Sequence, residues 1–187
     1  MTVSFIRHGK TIANEKRLYC GHTDLDLSDA GKTELYKLKD IITYPTGEVF
    51  ATSGLKRAVS TLHVLYGEVE SIKIPELMEY NFGDFEMKSH EELEYEQSYI
   101  DWIESENTRC PNGESRLEFY ERVYTGLNKL KTISKTVVCI CHGGVIAVLM
   151  EALFPGKKGF YEWQPQFGRG YTVSFGVNID NNTWRLV

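Results

Sequence analysis

The run Val137–Cys141, within TVVCIC, carries apolar side chains on both alternating faces, and a strand with no polar face persists only where its sheet is covered on both sides. Thr2–Ile6, Glu48–Ser53 and Ile72–Ile74 are similar short β-branched or aromatic runs, the last closed by Pro75. Segments of helical period lie between them. Ser28–Ile42 opens on Ser28 as an N-cap and repeats Leu35, Leu38, Ile41 and Ile42, and Leu55–Leu65 repeats Leu55, Val59, Leu62 and Leu65. Ser115–Ile133 is the longest such pattern, with Leu117, Tyr120, Tyr124, Leu127 and Leu130 on one face. Gly144–Leu153 follows the strand Thr136–Cys141 and is stopped by Pro155 and Gly156. Ser89–Glu106 is acidic, aromatic and helical in pattern, while Tyr171–Ile179 and Thr183–Val187 read as a closing pair of strands across Asn181-Asn182. Strands alternating with helices predict an α/β sheet covered on both faces, with its chemistry outside the carboxyl ends of the strands.

No Pro/Gly/Ser-rich linker, internal repeat or low-complexity tract interrupts the chain, so its 187 residues, 42% hydrophobic, are read as one domain spanning 1–187. A net charge of -5 gives no overall attraction to nucleic acid or to an anionic membrane surface. Any anion must therefore be met by a local cluster of basic groups. Arg7 and His8 arrive before an apolar leader could form, and the apolar run Val145–Met150 is too short to span a bilayer, so a cytoplasmic location is expected. Cys20, Cys110, Cys139 and Cys141 fit neither a disulfide framework nor paired C-x-x-C spacing and are read as reduced thiols.

Three predicted strand ends supply Arg7 with His8, then Arg57 beyond Ser53, then His142 before Gly143-Gly144. These are the pieces needed to hold a phosphate dianion and attack it. The guanidinium fork matches phosphate oxygens bidentately, and each charge-assisted bond is worth about 1.5 to 3 kcal/mol. A histidine must be neutral to attack phosphorus, and two guanidiniums nearby disfavour its protonation, so the cluster that binds substrate also keeps His8 nucleophilic. His142 is placed to donate to a non-bridging oxygen, and Gly143 to offer helix N-terminal N–H groups to the anion. The leaving alkoxide needs a proton, a contribution of roughly 10²- to 10⁴-fold. Within PELMEYNFGDFE, Glu79 is the first choice, among apolar neighbours that would raise its pKa, with Glu76 and Asp84 as alternatives. Cys139-x-Cys141-His142 is not read as a metal site, since strand alternation turns Cys141 and His142 to opposite faces. No metal or cofactor is expected, because the arginines supply the positive charge.

In sequence order, Arg7-His8-Gly9-x-Thr11-x-x-Asn14, Gly21-x-x-Asp24, Leu27-Ser28 with Gly31, Thr52-Ser53-x-Leu55-x-Arg57-Ala58, Leu77-x-Glu79, Gly83-x-Phe85-Glu86, Pro111-x-Gly113-Glu114-Ser115 and Cys141-His142-Gly143-Gly144 resemble the motifs of the histidine phosphatase superfamily, which includes the phosphoglycerate mutases. The resemblance implies a three-layer α/β/α sandwich with a mostly parallel central sheet. It also implies a phosphate pocket of Arg7, His8, Arg57 and His142, phosphorylation of His8, and Glu79 as proton donor. Asn14, Gly21 and His22 match positions that usually face the substrate. The stretches Leu18–His22 and Asn81–Met87 look most like the α-ribazole phosphatases of cobalamin assembly, which remove a 5′-phosphate from a nucleotide-like precursor. Two positions depart from the common pattern. Lys10 stands where Glu, Gln or Ser is usual, and it is read as touching a second anionic or polar part of the substrate; Met87 stands where many members have glycine.

A small phosphate ester is the implied partner and phosphomonoester hydrolysis the implied reaction. The alternatives are a broad-specificity phosphatase of sugar or other organic phosphates and a phosphoglycerate mutase-like phosphotransferase, with the short chain favouring hydrolysis over a mutase. A non-catalytic phospholigand-binding protein is disfavoured, because nucleophile, both arginines, second histidine and carboxylate are all retained. The acidic stretch Glu91–Glu96 is read as a solvated helix or as part of a lid.

Overall fold

Among the described residues six strands, β1 (Thr2–Arg7), β2 (Val49–Thr52), β3 (Ile72–Lys73), β4 (Thr136–Cys141), β5 (Gly170–Ser174) and β6 (Thr183–Leu186), form one sheet in the order β3-β2-β4-β1-β5-β6. The computed structural model describes residues 1–105 and 107–187. Strands β3, β2, β4 and β1 are mutually parallel, and β5 runs antiparallel to both β1 and β6. The helices are α1 (Ile12–Glu15), α2 (Asp29–Ile41), α3 (Lys56–Tyr66), α4 (His90–Leu93), α5 (Gln97–Glu104), α6 (Arg116–Ile133), α7 (Gly143–Leu153) and α8 (Phe160–Trp163). This is an α/β sandwich with a mostly parallel central sheet, as predicted.

Strand alternation sorts the core into two layers. Val3, Phe5, Val137, Cys139 and Cys141 face one side and pack with α6 and α7, whereas Ile6, Val138 and Ile140 face the other and pack with Leu35 of α2 and Ala58, Leu62 and Leu65 of α3. Each large side chain buried here stabilises the sandwich by about 1.5 to 3 kcal/mol relative to exposure. The caps follow the sequence: the Ser28 hydroxyl accepts from Gly31 N–H, and Ser115 forms a capping box with Glu118.

Several expectations required correction. The buried face of α6 is Phe119, Val123, Gly126, Leu127 and Leu130, while Leu117 is 56% exposed, so the true stripe keeps Leu127 and Leu130 of the predicted one but is rotated from it by about a quarter of a turn. Ile41 is 75% exposed and does not join the α2 stripe. Ser89–Glu106 is no single helix, because Ser89 caps only the turn α4 and the chain restarts at α5; Glu106 lies outside the described residues. Strand β5 ends at Ser174 rather than Ile179, and a 3-10 turn at Ile179–Asn181 precedes β6. Helices α1 and α8 are too short to show a period and carried no signal in the pattern. Among the described residues no helix is long and apolar enough to cross a membrane.

The registry places the chemistry. Arg7 pairs with Cys141 and Thr52 with Ile140, so β1, β4 and β2 end nearly level and side by side. The next residues, His8, His142 and Ser53, leave the sheet together.

Candidate active site

His8 is 4% exposed, and its Nδ1 lies 2.6 Å from the Gly9 carbonyl oxygen. A carbonyl only accepts, so Nδ1 carries the proton and Nε2 keeps its lone pair. The His8 pKa is driven well below the usual imidazole value, first by burial and then by Arg57 and Arg7. The guanidiniums therefore act in the predicted direction, but desolvation leads. The His142 ring stands 5.0 Å from the His8 ring, centroid to centroid, and is held neutral by the same causes, burial first and then Arg57. Its Nε2 meets the Ser53 hydroxyl at 2.8 Å.

Arg7 is stacked on Phe167, with Cζ 3.8 Å from the ring centroid, and Nη1 donates to the Pro165 carbonyl at 2.9 Å. Burial lowers its pKa and the charge of Glu79 opposes that shift. Arg57 is 1% exposed and donates from Nη2 to Gly21 O at 2.6 Å and from Nη1 to Thr23 O at 3.0 Å. Three buried nitrogens of this cluster, Arg7 Nε, Arg57 Nε and His142 Nδ1, have no partner among the described residues. Buried polar groups are normally satisfied, and several orphaned nitrogens within one basic cluster make it a candidate anion site. Gly143, the first residue of α7, lies directly under Arg7: a Cβ there would stand 2.9 Å from Arg7 Cζ.

Of the carboxylates in PELMEYNFGDFE, the fold brings Glu79 to this cluster. Its Oε2 accepts from Gly144 N–H at 3.0 Å and its Oε1 from Tyr80 N–H at 3.0 Å. The apolar surroundings read from the sequence are thus replaced, at the carboxylate itself, by two backbone donors. Glu76 instead pairs with Lys129, and Asp84 accepts from the Asn112 amide.

The remaining candidates lie one step back. The Asn14 amide oxygen accepts from Thr11 N–H and Oγ1–H in the α1 cap. Gly21 reaches the cluster through its carbonyl on Arg57, and the His22 ring faces the Glu79 backbone. Lys10 pairs with Glu34 at 2.9 Å. Sequence reasoning gave no role to Arg122 or Phe167. Arg122 donates to the carbonyls of Glu76, Met78 and Glu79 and to the Glu114 carboxylate, bracing the backbone that carries Glu79. A single arginine on a helix and a phenylalanine in a loop carry no signal until the fold brings them here.

A cleft of about 660 Å³ opens beside Glu79 and Gly144, with Tyr19, Phe82, Trp102, Tyr120, Phe160 and Tyr161 among its walls. The acidic stretch Glu91–Glu96 is mostly exposed apart from Leu93, and it is the following helix α5 that supplies part of that wall, through the buried Tyr99 and Trp102.

The histidine phosphatase superfamily (branch 1) model matches residues 3–187. The adenosylcobalamin/alpha-ribazole phosphatase of Salmonella typhimurium is 32% identical over 160 residues, covering 82% of this chain and 79% of that protein. A 2,3-bisphosphoglycerate-dependent phosphoglycerate mutase of Bartonella henselae is also 32% identical, over 96% of this chain and 94% of the mutase. Chain length therefore does not separate hydrolase from mutase, contrary to the expectation drawn from the sequence. Among solved structures, a putative alpha-ribazole-5′-P phosphatase from Escherichia coli superposes with a TM-score of 0.87 at 26% identity, covering 100% of this chain and 95% of that one.

Proposed function

The chain belongs to the histidine phosphatase superfamily and is a phosphatase, and from that premise we propose that it hydrolyses α-ribazole 5′-phosphate through a phosphohistidine on His8. The observation that carries the reading is the convergence of a neutral, tautomer-fixed His8 with Arg7, Arg57 and His142 at the carboxyl ends of three adjacent strands.

In this reading Arg7 and Arg57 bind the non-bridging oxygens, and His142 donates from Nδ1 to one of them. His8 Nε2 attacks phosphorus in line, the ester P–O bond breaks, and the proton of Glu79 passes to the leaving oxygen. Water, deprotonated by Glu79, then attacks the phosphohistidine, the P–N bond breaks, and inorganic phosphate leaves. Gly143 completes the pocket by letting Arg7 lie over the start of α7. Asn14, Gly21 and His22 line or brace its rim.

The aromatic cleft beside Glu79 supports a nucleotide-like alcohol, because a flat base stacks on such walls. The names of the Salmonella typhimurium and Escherichia coli proteins point the same way. The test is kcat/KM across α-ribazole 5′-phosphate, 3-phosphoglycerate and sugar phosphates, with phosphate release followed directly. α-Ribazole 5′-phosphate should rank first, with loss of activity and of acid-labile enzyme-bound phosphate in His8→Ala. Equal rates for wild type and His8→Ala would sink the phosphohistidine, and phosphoryl transfer to a second alcohol without phosphate release would favour the mutase.

A further inference from the structure

The turn Gly21–Thr23 stands between Arg57 and Glu86. On one side its carbonyls accept from Arg57, Gly21 O from Nη2 at 2.6 Å and Thr23 O from Nη1 at 3.0 Å. On the other side its amides converge on Glu86. Oε1 accepts from Gly21 N at 3.0 Å and His22 N at 2.7 Å, and Oε2 from Thr23 N at 3.0 Å. Oε1 also accepts from Phe82 N at 3.3 Å. The Gly21–His22 peptide thus runs in line from guanidinium to carboxylate, its C=O on Arg57 and its N–H on Glu86.

Among the described residues Arg57 forms no ion pair, although it is one of the largest fully buried side chains. A buried cation needs compensation, but a carboxylate in direct contact would occupy the donors that a phosphoryl group requires. Compensation one peptide away resolves the conflict, because hydrogen bonds in a chain polarise one another. The geometry fits no other residue at position 21: a Cβ there would lie 1.7 Å from the Tyr80 carbonyl oxygen and 2.7 Å from Glu86 Oε1.

We propose that Glu86 is the positioning residue for Arg57: it draws the 21–23 amides to itself, turns their carbonyls onto the guanidinium, and leaves the Arg57 charge unpaired for the phosphoryl group. This rests on the reading of Arg57 as a phosphoryl ligand. Glu86 itself touches no reacting atom. Its neighbour Asp84 accepts from Asn112 on the surface and plays no part.

A double-mutant cycle tests it on the intact protein, with kcat/KM for an aryl phosphate and inhibition by orthovanadate as readouts. Glu86→Gln should lower kcat/KM and weaken vanadate inhibition by about tenfold or more in the wild-type background, and by less than about twofold in Arg57→Ala, since coupled sites are non-additive. Glu86→Asp, which keeps the charge, should recover part of the loss; it carries the same comparison if Glu86→Gln does not fold. Equal losses in both backgrounds overturn the proposal while leaving the reading of Arg57 intact. An Arg57→Ala enzyme as active as wild type overturns that reading, and the proposal with it.

Discussion

The Ser53 hydroxyl lies 2.8 Å from Nε2 of His142, whose other nitrogen, Nδ1, is buried and has no partner among the described residues. With the ring held neutral, an O–H donated by Ser53 to Nε2 leaves the proton on Nδ1, as the proposed donation to a phosphoryl oxygen requires. Ser53→Ala should therefore misassign that proton and lower kcat by about tenfold to a hundredfold, less than the roughly 10²- to 10³-fold loss on deleting an oxyanion donor outright. Steady-state kinetics of Ser53→Ala beside His142→Ala measures both, and a Ser53→Ala enzyme with wild-type kcat would remove Ser53 from the mechanism.

The pH dependence follows from the same two histidines. Burial, then Arg57, hold both well below the usual imidazole value, so both stay neutral in the folded protein as pH falls through the normal histidine range. The acid limb of kcat/KM should lie below about pH 6.5, and Arg57→Ala should move it upward by removing the second cause. Stability has the opposite sensitivity. The unfolded chain takes up protons near pH 6.5 that the folded state refuses, so stability falls with decreasing pH by about 1.4 kcal/mol per unit for each histidine. Urea midpoints should thus drop between about pH 7 and about pH 5.5, and more shallowly in His142→Ala.

Strand ends were legible because a fully apolar run broken by Arg-His or His-Gly-Gly is a local signal, and the level ending of β1, β2 and β4 then converts three separate loops into one cluster. The bracing shell was not legible. Arg122 acts on backbone groups far from it in sequence, and nothing in its own neighbourhood distinguishes it from a surface charge; Glu86 belongs to the Gly83-x-Phe85-Glu86 match, but its hold on the 21–23 turn is visible only in the fold. On α6, Leu117 and Tyr124 have the right period yet stand exposed, while Tyr120, Leu127 and Leu130 pack against the core, because only tertiary contact decides between two overlapping stripes.

Gly144 sits against the proposed proton donor: a Cβ there would lie 2.5 Å from Glu79 Oε1. Gly144→Ala should displace the carboxylate and reproduce part of the Glu79→Gln defect. Both defects should depend on the leaving group. Alkyl phosphates should lose roughly 10²- to 10⁴-fold in Glu79→Gln, while an aryl phosphate, whose phenolate leaves without a proton, should lose far less. A defect of equal size for both esters would assign Glu79 to positioning rather than proton transfer.

Lys10 reaches Glu34 rather than the basic cluster of Arg7, His8, Arg57 and His142, with side chains 36% and 48% exposed. A pair so open contributes about 0 to 1 kcal/mol, so Lys10→Ala should leave Tm almost unchanged. Lys10 nevertheless shares a cleft of about 730 Å³ with Arg7 and Lys37. Esters with a second anionic group should therefore show a KM raised about threefold to tenfold in Lys10→Ala, and a singly charged monoester none, a split that vanishes at high salt. Unchanged KM for both classes would confine Lys10 to its pair with Glu34.

The aromatic cleft makes a prediction about which substrates depend on it. Phe82 and Trp102 have ring centroids 6.0 Å apart at 82°, and Tyr19 stacks against Phe82 at 5.0 Å, so one wall is a connected set of rings. Trp102 is 9% exposed and donates to the Tyr80 hydroxyl, so truncating it would collapse the wall itself. Phe82 is only half-buried and stands next to Tyr80, which makes it the cleaner probe. Base–aromatic stacking is worth about 1 to 3 kcal/mol, so Phe82→Ala should lower kcat/KM for α-ribazole 5′-phosphate by roughly 5- to 150-fold. Glycerol phosphate, with nothing to stack, should be hydrolysed at the wild-type rate. Equal losses for the two esters would mean that Phe82 serves the Glu79 backbone rather than the substrate, and the aromatic alcohol would lose its structural support.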